Sequence, residues 1–182
     1  LWLKVGRWMS WPRNCGPRAQ HSRPARAVLD EVRRVVEAGA REVTLLGQSV
    51  MRYGLKGDVW PADAPPGAAG FTEPLPRLFE AMARENPALR RIRFTSSHPS
   101  GVTPELVRAM AELPAICPHL HLPVQSGSDR VLERMGRGYG RADYLRAVAR
   151  LREALPDLAL TTDVIVGFPG ETEEDFQETL RV

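Results

Sequence analysis

The chain has 182 residues, 43% of them hydrophobic, enough for one sizeable core and most simply one domain. Its formal charge of +3 is uneven: residues 1–34 hold eight Lys or Arg against two acids, and the remainder hold 17 against 20. No run reaches the roughly 18 apolar residues of a membrane span, and the basic start lacks the apolar stretch of a secretory signal, so a cytoplasmic protein is expected. Because the basic excess is confined to the first segment, a pI of about 9.2 is poor evidence for nucleic-acid binding. The two cysteines, Cys15 and Cys117, lie far apart and give neither a disulfide framework nor metal-ligand spacing.

Residues 1–21 hold three of the four tryptophans among scattered basic residues, and no helix, strand or turn chemistry is evident there. From Pro24 the pattern alternates strand and helix. Val28, Leu29, Val32, Val35 and Val36 recur at helical spacing, with Gly39 as a stop. Glu42–Leu46 reads as a short buried strand, and 49–74 as a loop too long to be a passive connection. Leu75, Leu78, Phe79 and Met82 mark a helix, and Arg91–Thr95 a strand. Thr103-Pro104-Glu105 opens a helix with an apolar face of Leu106, Val107 and Met110. A strand over His119–Val124 precedes a helix through Val131, Leu132 and Met135, and then a longer one carrying Tyr144, Leu145, Val148 and Leu151. Leu158–Val166 is the last strand, and Thr172-Glu173-Glu174-Asp175 starts the last helix with a capping-box pattern. Four strand-then-helix units argue for a parallel α/β sheet or barrel.

Chemistry in such folds gathers at the C-terminal ends of the strands. Leu122–Ser128 (LPVQSGS) sits at one such end, where Ser126 or Ser128 could simply cap the next helix. TTDVIVGFPGE (161–171) combines an apolar strand with a glycine and a Pro-Gly turn. Its Asp163 is either a hydrogen-bonded core carboxylate or a group facing substrate. His119 and His121 alternate on one strand face and His98 ends another strand. With Asp163 they offer an alternative reading, a barrel enzyme using a divalent metal. A non-catalytic RNA-binding module is a third class, disfavoured by the acidic excess after residue 34.

The motifs LLGQSVMRYG (45–54), RFTSSHP (93–99), HLHLPVQSGS (119–128) with DRVLERMGRGY (129–139), and TTDVIVGFPGETEEDF (161–176) occur in that order. Together they resemble the catalytic domain of the radical-SAM tRNA methylthiotransferases. The resemblance implies an α/β fold, part of a radical-SAM partial TIM-type barrel of about four parallel β/α units, over 22–182. It implies S-adenosylmethionine and a [4Fe–4S] cluster as cofactors and tRNA as partner. The implied product is 2-methylthio-isopentenyladenosine beside the anticodon, formed after a 5′-deoxyadenosyl radical abstracts hydrogen. On this resemblance Gly47, Gln48, Gln125, Ser126 and Gly167 belong to the cofactor pocket, Gly167 lying where backbone runs along the adenine. Ser96, Ser97, His98 and Asp163 are then candidates for the substrate side. Ser49 and Met51-Arg52 depart from the family pattern.

The family holds its cluster with three cysteines in a C-x-x-x-C-x-x-C motif, because soft thiolates bind the iron. Ser22-Arg23-Pro24 matches the stretch that follows this motif, yet upstream of Ser22 only Cys15 occurs. The expectations are therefore that residues 1–21 are a non-matching segment, disordered or mistranslated, and that this chain binds no cluster. Catalytic residues stay unassigned. Four strands with two open edges are expected to aggregate or to need further strands.

Overall fold

The computed structural model describes residues 2–4 as backbone, and 22–47, 49–61, 68–95 and 98–182 in full. The chain divides into two compact units, one comprising Leu1–Thr95 with Pro104–Cys117, the other Ser96–Thr103 with Pro118–Val182. The fold is α/β with parallel strands, as expected.

In the first unit, β1 (Trp2–Lys4), β2 (Glu42–Leu46) and β3 (Arg91–Phe94) form a parallel sheet in that order. Leu45 lies opposite both Leu3 and Phe94. The strand β1 is a finding the sequence reading did not anticipate, and it takes the edge of β2 that was expected to stand open. The sheet continues at a bridge between Ile92 and Ile116. Val43, Leu45 and Ile92 are wholly buried, and so are residues of α1 (Ala25–Glu37) and α2 (Pro74–Glu85), among them Val28, Val32, Leu78, Phe79 and Met82. The rings of Phe79 and Phe94 meet at 5.1 Å. Helix α3 (Pro104–Glu112) adds Leu106 and Met110 to this core.

The long connection from β2 to α2 is tied down, as its length demands. Tyr53 Oη donates to the Arg23 carbonyl (2.8 Å), Gly54 N–H to Ser22 Oγ (3.0 Å), and Ala25 N–H to the Val59 carbonyl (2.7 Å). Burial pushes the Tyr53 phenol far above its ordinary value. At the far end of the connection, Glu105 of α3 accepts from the amides of Thr72 and Glu73 and from the Thr72 hydroxyl. Burial works to raise the Glu105 carboxyl, but these donors together hold it below its usual value.

In the second unit, β4 (His119–His121) pairs in parallel with β5 (Ala159–Thr161), His121 opposite Thr161. Both strands are shorter than the sequence pattern promised, and Pro123 explains why. It has no N–H, so the ladder runs to Leu122 N–H on the Thr161 carbonyl (2.8 Å) and then lapses. A side chain takes over, Thr162 Oγ1 accepting from Val124 N–H at 2.8 Å. Backbone pairing resumes where Gln125 N–H donates to the Asp163 carbonyl (3.0 Å) and Ile165 N–H to the Gln125 carbonyl (2.8 Å). Two phenols hold the lapse together: Tyr144 Oη donates to the Leu122 carbonyl (3.1 Å) and Tyr139 Oη to that of Val124 (3.1 Å). Tyr144→Phe leaves the buried Leu122 carbonyl short of a donor and should destabilise the chain by about 1–2 kcal/mol in urea unfolding.

Helix α5 (Arg141–Ala154) buries Tyr144, Ala147 and Leu151, whereas Leu145, expected in that stripe, is 39% exposed. After β5 the chain was expected to stay buried to Val166. Instead Val164, Ile165 and Val166 are exposed, and among the described residues no strand pairs on the other side of β5. Helix α6 (Glu173–Leu180) begins as expected with a capping box, Thr172 Oγ1 accepting from Asp175 N–H and Asp175 from Thr172 N–H. Among the described residues no helix is long and apolar enough to cross a membrane.

Candidate functional site

The strand ends carry the polar residues in both units. In the first, Gly47 follows β2 and is half-buried, while Gln48 lies outside the described residues; so do Ser96 and Ser97, which open the second unit. The remaining candidates fall in the second unit, where the β4 and β5 extensions bring Gln125 beside Asp163 and Val164.

Gln125 is the one described non-glycine residue with positive φ, at 68°. Ser126 N–H closes back on the Val124 carbonyl at 2.9 Å, making a three-residue turn with Gln125 at its apex. A β-carbon in this region costs roughly 1–2 kcal/mol, so the position is held against a local preference. The Gln125 backbone is committed to the Asp163 and Ile165 pairing. Its carboxamide takes no hydrogen bond among the described residues.

Ser126, placed by resemblance in the cofactor pocket, is completely buried. Its hydroxyl meets Thr179 Oγ1 of α6 (3.2 Å) and accepts from Ser128 N–H (3.1 Å). Thr179 also accepts from Gly127 N–H at 2.8 Å. Ser126 therefore braces the loop from behind. Ser128 is the cap of α4 (Asp129–Arg134), accepting from Val131 N–H, and it donates to Asp175 Oδ1 at 2.6 Å. Asp175, 6% exposed, also pairs with Arg130 and accepts from Thr172 N–H (2.8 Å) and the Thr172 hydroxyl (3.0 Å). The Arg130 guanidinium first, then these hydrogen bonds, hold its carboxyl far below the usual carboxylate range. The sequence signalled Asp175 only as a capping acid; its partners Ser128 and Arg130 lie 47 and 45 residues away.

Gly167 has φ +75° and open space where a side chain would stand, so a flat ring could approach its backbone. Its N–H donates to Glu171 Oε2 (2.5 Å), which also accepts from Phe168 N–H at 3.2 Å. Glu171, which sequence reading passed over, thus fixes this turn. The open glycine leaves room for a flat ring such as the adenine of S-adenosylmethionine, and the carboxamide of Gln125 is free to meet polar groups.

The histidines do not assemble as the metal reading requires. His98 Nε2–H donates to the Arg137 carbonyl (2.8 Å), while Nδ1 accepts from Ser100 N–H at 3.2 Å, so the ring caps its own loop. Its edge meets the Tyr139 ring at 4.9 Å. Both ring nitrogens of His98, a substrate-side candidate by resemblance, are thus occupied. His121 stands between Thr161 Oγ1 (3.0 Å) and the exposed Asp163 (3.3 Å). Among the described residues no three His, Cys, Asp or Glu side chains converge on a metal position.

A [4Fe–4S] cluster fits these residues no better. The chain holds two cysteines, one fewer than the three thiolates required. Cys15 lies outside the described residues, and Cys117 is 7% exposed with its thiol pushed up by burial, the reverse of what a ligand needs.

The Radical SAM superfamily model matches residues 12–182, reaching upstream of Ser22. The chain is 51% identical over 159 residues to the tRNA-2-methylthio-N(6)-dimethylallyladenosine synthase of Geobacter sulfurreducens, covering 87% of the chain and 33% of that protein. It is 50% identical over 169 residues to the same-named synthase of Thermus thermophilus, covering 93% of the chain and 33% of the relative. The chain thus spans about a third of the length of these curated relatives. Among solved structures, the cobalamin-dependent S-adenosylmethionine radical enzyme OxsB matches 99% of the chain and 26% of its own length, with TM-score 0.70 and 15% identity. The radical S-adenosylmethionine methyltransferase TsrM of Kitasatospora setae matches 89% of the chain and 29% of its own, with TM-score 0.62 and 19% identity. These two likenesses concern the fold.

Proposed function

The chain belongs to the radical SAM superfamily, and we propose that it is the central part of the catalytic domain of a tRNA methylthiotransferase. The carrying observation is the identity of about one half with curated synthases over some nine tenths of the chain. The substrate would be an N6-dimethylallyl adenosine in tRNA, which implies a cytoplasmic setting. S-adenosylmethionine would supply the adenosyl and methyl groups. Gln125 would offer its carboxamide to the cofactor's polar groups and Gly167 its open backbone to the adenine; Gly47 and Gln48 are kept as cofactor-side residues by resemblance. Asp163 is retained as the substrate-side group with an exposed carboxylate. Ser126 is reassigned to holding the loop.

Deleting the gene and analysing bulk tRNA nucleosides by mass spectrometry tests the activity. The methylthio nucleoside should disappear, leaving its dimethylallyl precursor; an unchanged nucleoside profile would refute the reading. For the 182-residue chain itself, anaerobic reconstitution with iron and sulfide should leave no cluster-level iron on the protein. Translating the gene in three frames across codons 1–24 decides whether residues 1–21 are out of frame. A C-x-x-x-C-x-x-C motif just before Ser22 in another frame would establish it. The free edge of β5, with Val164–Val166 exposed beside it, is expected to make the isolated chain self-associate. Sedimentation as a clean monomer at high concentration would contradict that.

Gln125→Gly separates stability from function. It should raise stability by about 1 kcal/mol, since glycine tolerates the left-handed backbone. It should also weaken binding of S-adenosylhomocysteine. A variant that is more stable and binds equally well would remove Gln125 from the pocket.

A further inference from the structure

The turn following Gly167 is gripped from the side by two arginines, Arg130 and Arg134. Arg130 and Arg134 lie one helical turn apart on α4 and therefore share a face. The Nη2 of Arg130 donates to the Gly170 carbonyl at 3.0 Å, and the Nη1 of Arg134 donates to the same oxygen at 3.2 Å. The guanidinium of Arg134 also fills the space next to the Gly170 α-carbon, where a β-carbon would overlap it. Gly170 itself has φ +77°, so its carbonyl is aimed by a backbone that only glycine adopts freely.

Exposed arginine contacts contribute little stability one by one. Both donors here converge on the Pro-Gly turn three residues beyond Gly167. Glu171 holds the same turn from its other side, through the amides of Gly167 and Phe168. Arg130 is in turn oriented by Asp175, which also receives the Ser128 hydroxyl. One guanidinium therefore joins the loop carrying Gln125 to the turn carrying Gly167.

We propose that Arg130 and Arg134 are positioning residues that fix the Phe168–Gly170 turn on α4, and so preset the Gly167 backbone for a flat adenosyl ligand. The proposal rests on the cofactor-side reading of Gly167. Ligand binding then meets a surface already in its bound shape, which removes an ordering cost from affinity.

The test uses the full chain, unaltered and as Arg134→Ala and Arg134→Lys, with S-adenosylhomocysteine as probe. Dissociation constants come from ligand-detected NMR, and hydrogen exchange of peptides covering 164–171 is followed without ligand. Arg134→Ala should bind roughly 5–10-fold more weakly and exchange faster over 164–171, while peptides over 119–122 keep their rates and the melting temperature stays close to that of the parent. Arg134→Lys, able to give one donor to Gly170, should recover part of the affinity. If Arg134→Ala binds as tightly as the parent, the proposal fails alone. If the parent does not bind the probe at all, the reading of Gly167 fails and the proposal with it.

Discussion

Gly127→Ala should destabilise the second unit by about 3 kcal/mol, at the upper end of what overpacking usually costs. A β-carbon on Gly127 would lie 2.5 Å from the Glu178 carbonyl oxygen and 2.6 Å from the Thr179 α-carbon. These are backbone atoms of α6, which cannot swing aside as a side-chain tip does. Relief requires α6 to lift, and lifting it breaks the Thr179 contacts to Ser126 and to Gly127 N–H. Set against the roughly 5–15 kcal/mol that holds a domain together, this is a large fraction. Urea unfolding followed by hydrogen exchange over 173–182 measures it. Gly138→Ala is the control: φ there is +69° but the space is open, so only conformational strain of about 1 kcal/mol applies. Equal effects at the two positions would show that close packing of α6 on the loop is not what Gly127 serves.

Asp175→Asn should lower the melting temperature at neutral pH and abolish most of the acid sensitivity of the second unit. The carboxylate draws on Arg130, Ser128 and Thr172 at once, and all three prefer the ionised form. Its folded value is depressed, so its contribution is fully present above the unfolded carboxyl value of about 3.9 and is lost as pH falls through the lower folded value. The gap in melting temperature between parent and variant should be widest near neutral pH. It should close as pH drops below about 4. A gap that ignored pH would mean that the carboxylate's charge is not what the network uses.

Much of the architecture is written in short-range patterns. The 3.6-residue spacing of Val28, Leu29, Val32 and Val36 gives α1, and Thr172 with Asp175 gives the start of α6. The ends of the strands were harder to read. Pro123 is a local signal that the β4 ladder breaks, but the repair by Thr162, Tyr139 and Tyr144 depends on contacts 15 to 38 residues away. Val164–Val166 continue an apolar strand pattern yet lie exposed, since periodicity reports what a strand could bury and says nothing about whether a neighbour covers it. The site shows the same division. The role of Gly167 comes from the resemblance alone; the structure adds a positive φ and open space beside it. Ser126 shows the long-range side: a serine at a strand end faces outward or inward with equal local plausibility, and Thr179, 53 residues on, fixes its hydroxyl. Strand β1 offered no signal, its three residues owing their state to pairing with Thr44–Leu46.

That last separation has a consequence for how the protein is made. Ser126 and Thr179 are joined across 53 residues, and Ser128 and Asp175 across 47. A ribosome adding about 5–20 residues per second needs roughly 3–10 s to cover that interval. During it the Gln125–Ser128 loop exists without the helix that seats it. Contacts of such range also close slowly once the chain is complete. Slow translation between codons 129 and 179 would lengthen this interval, and codon choice there should influence how much of the product reaches its folded state.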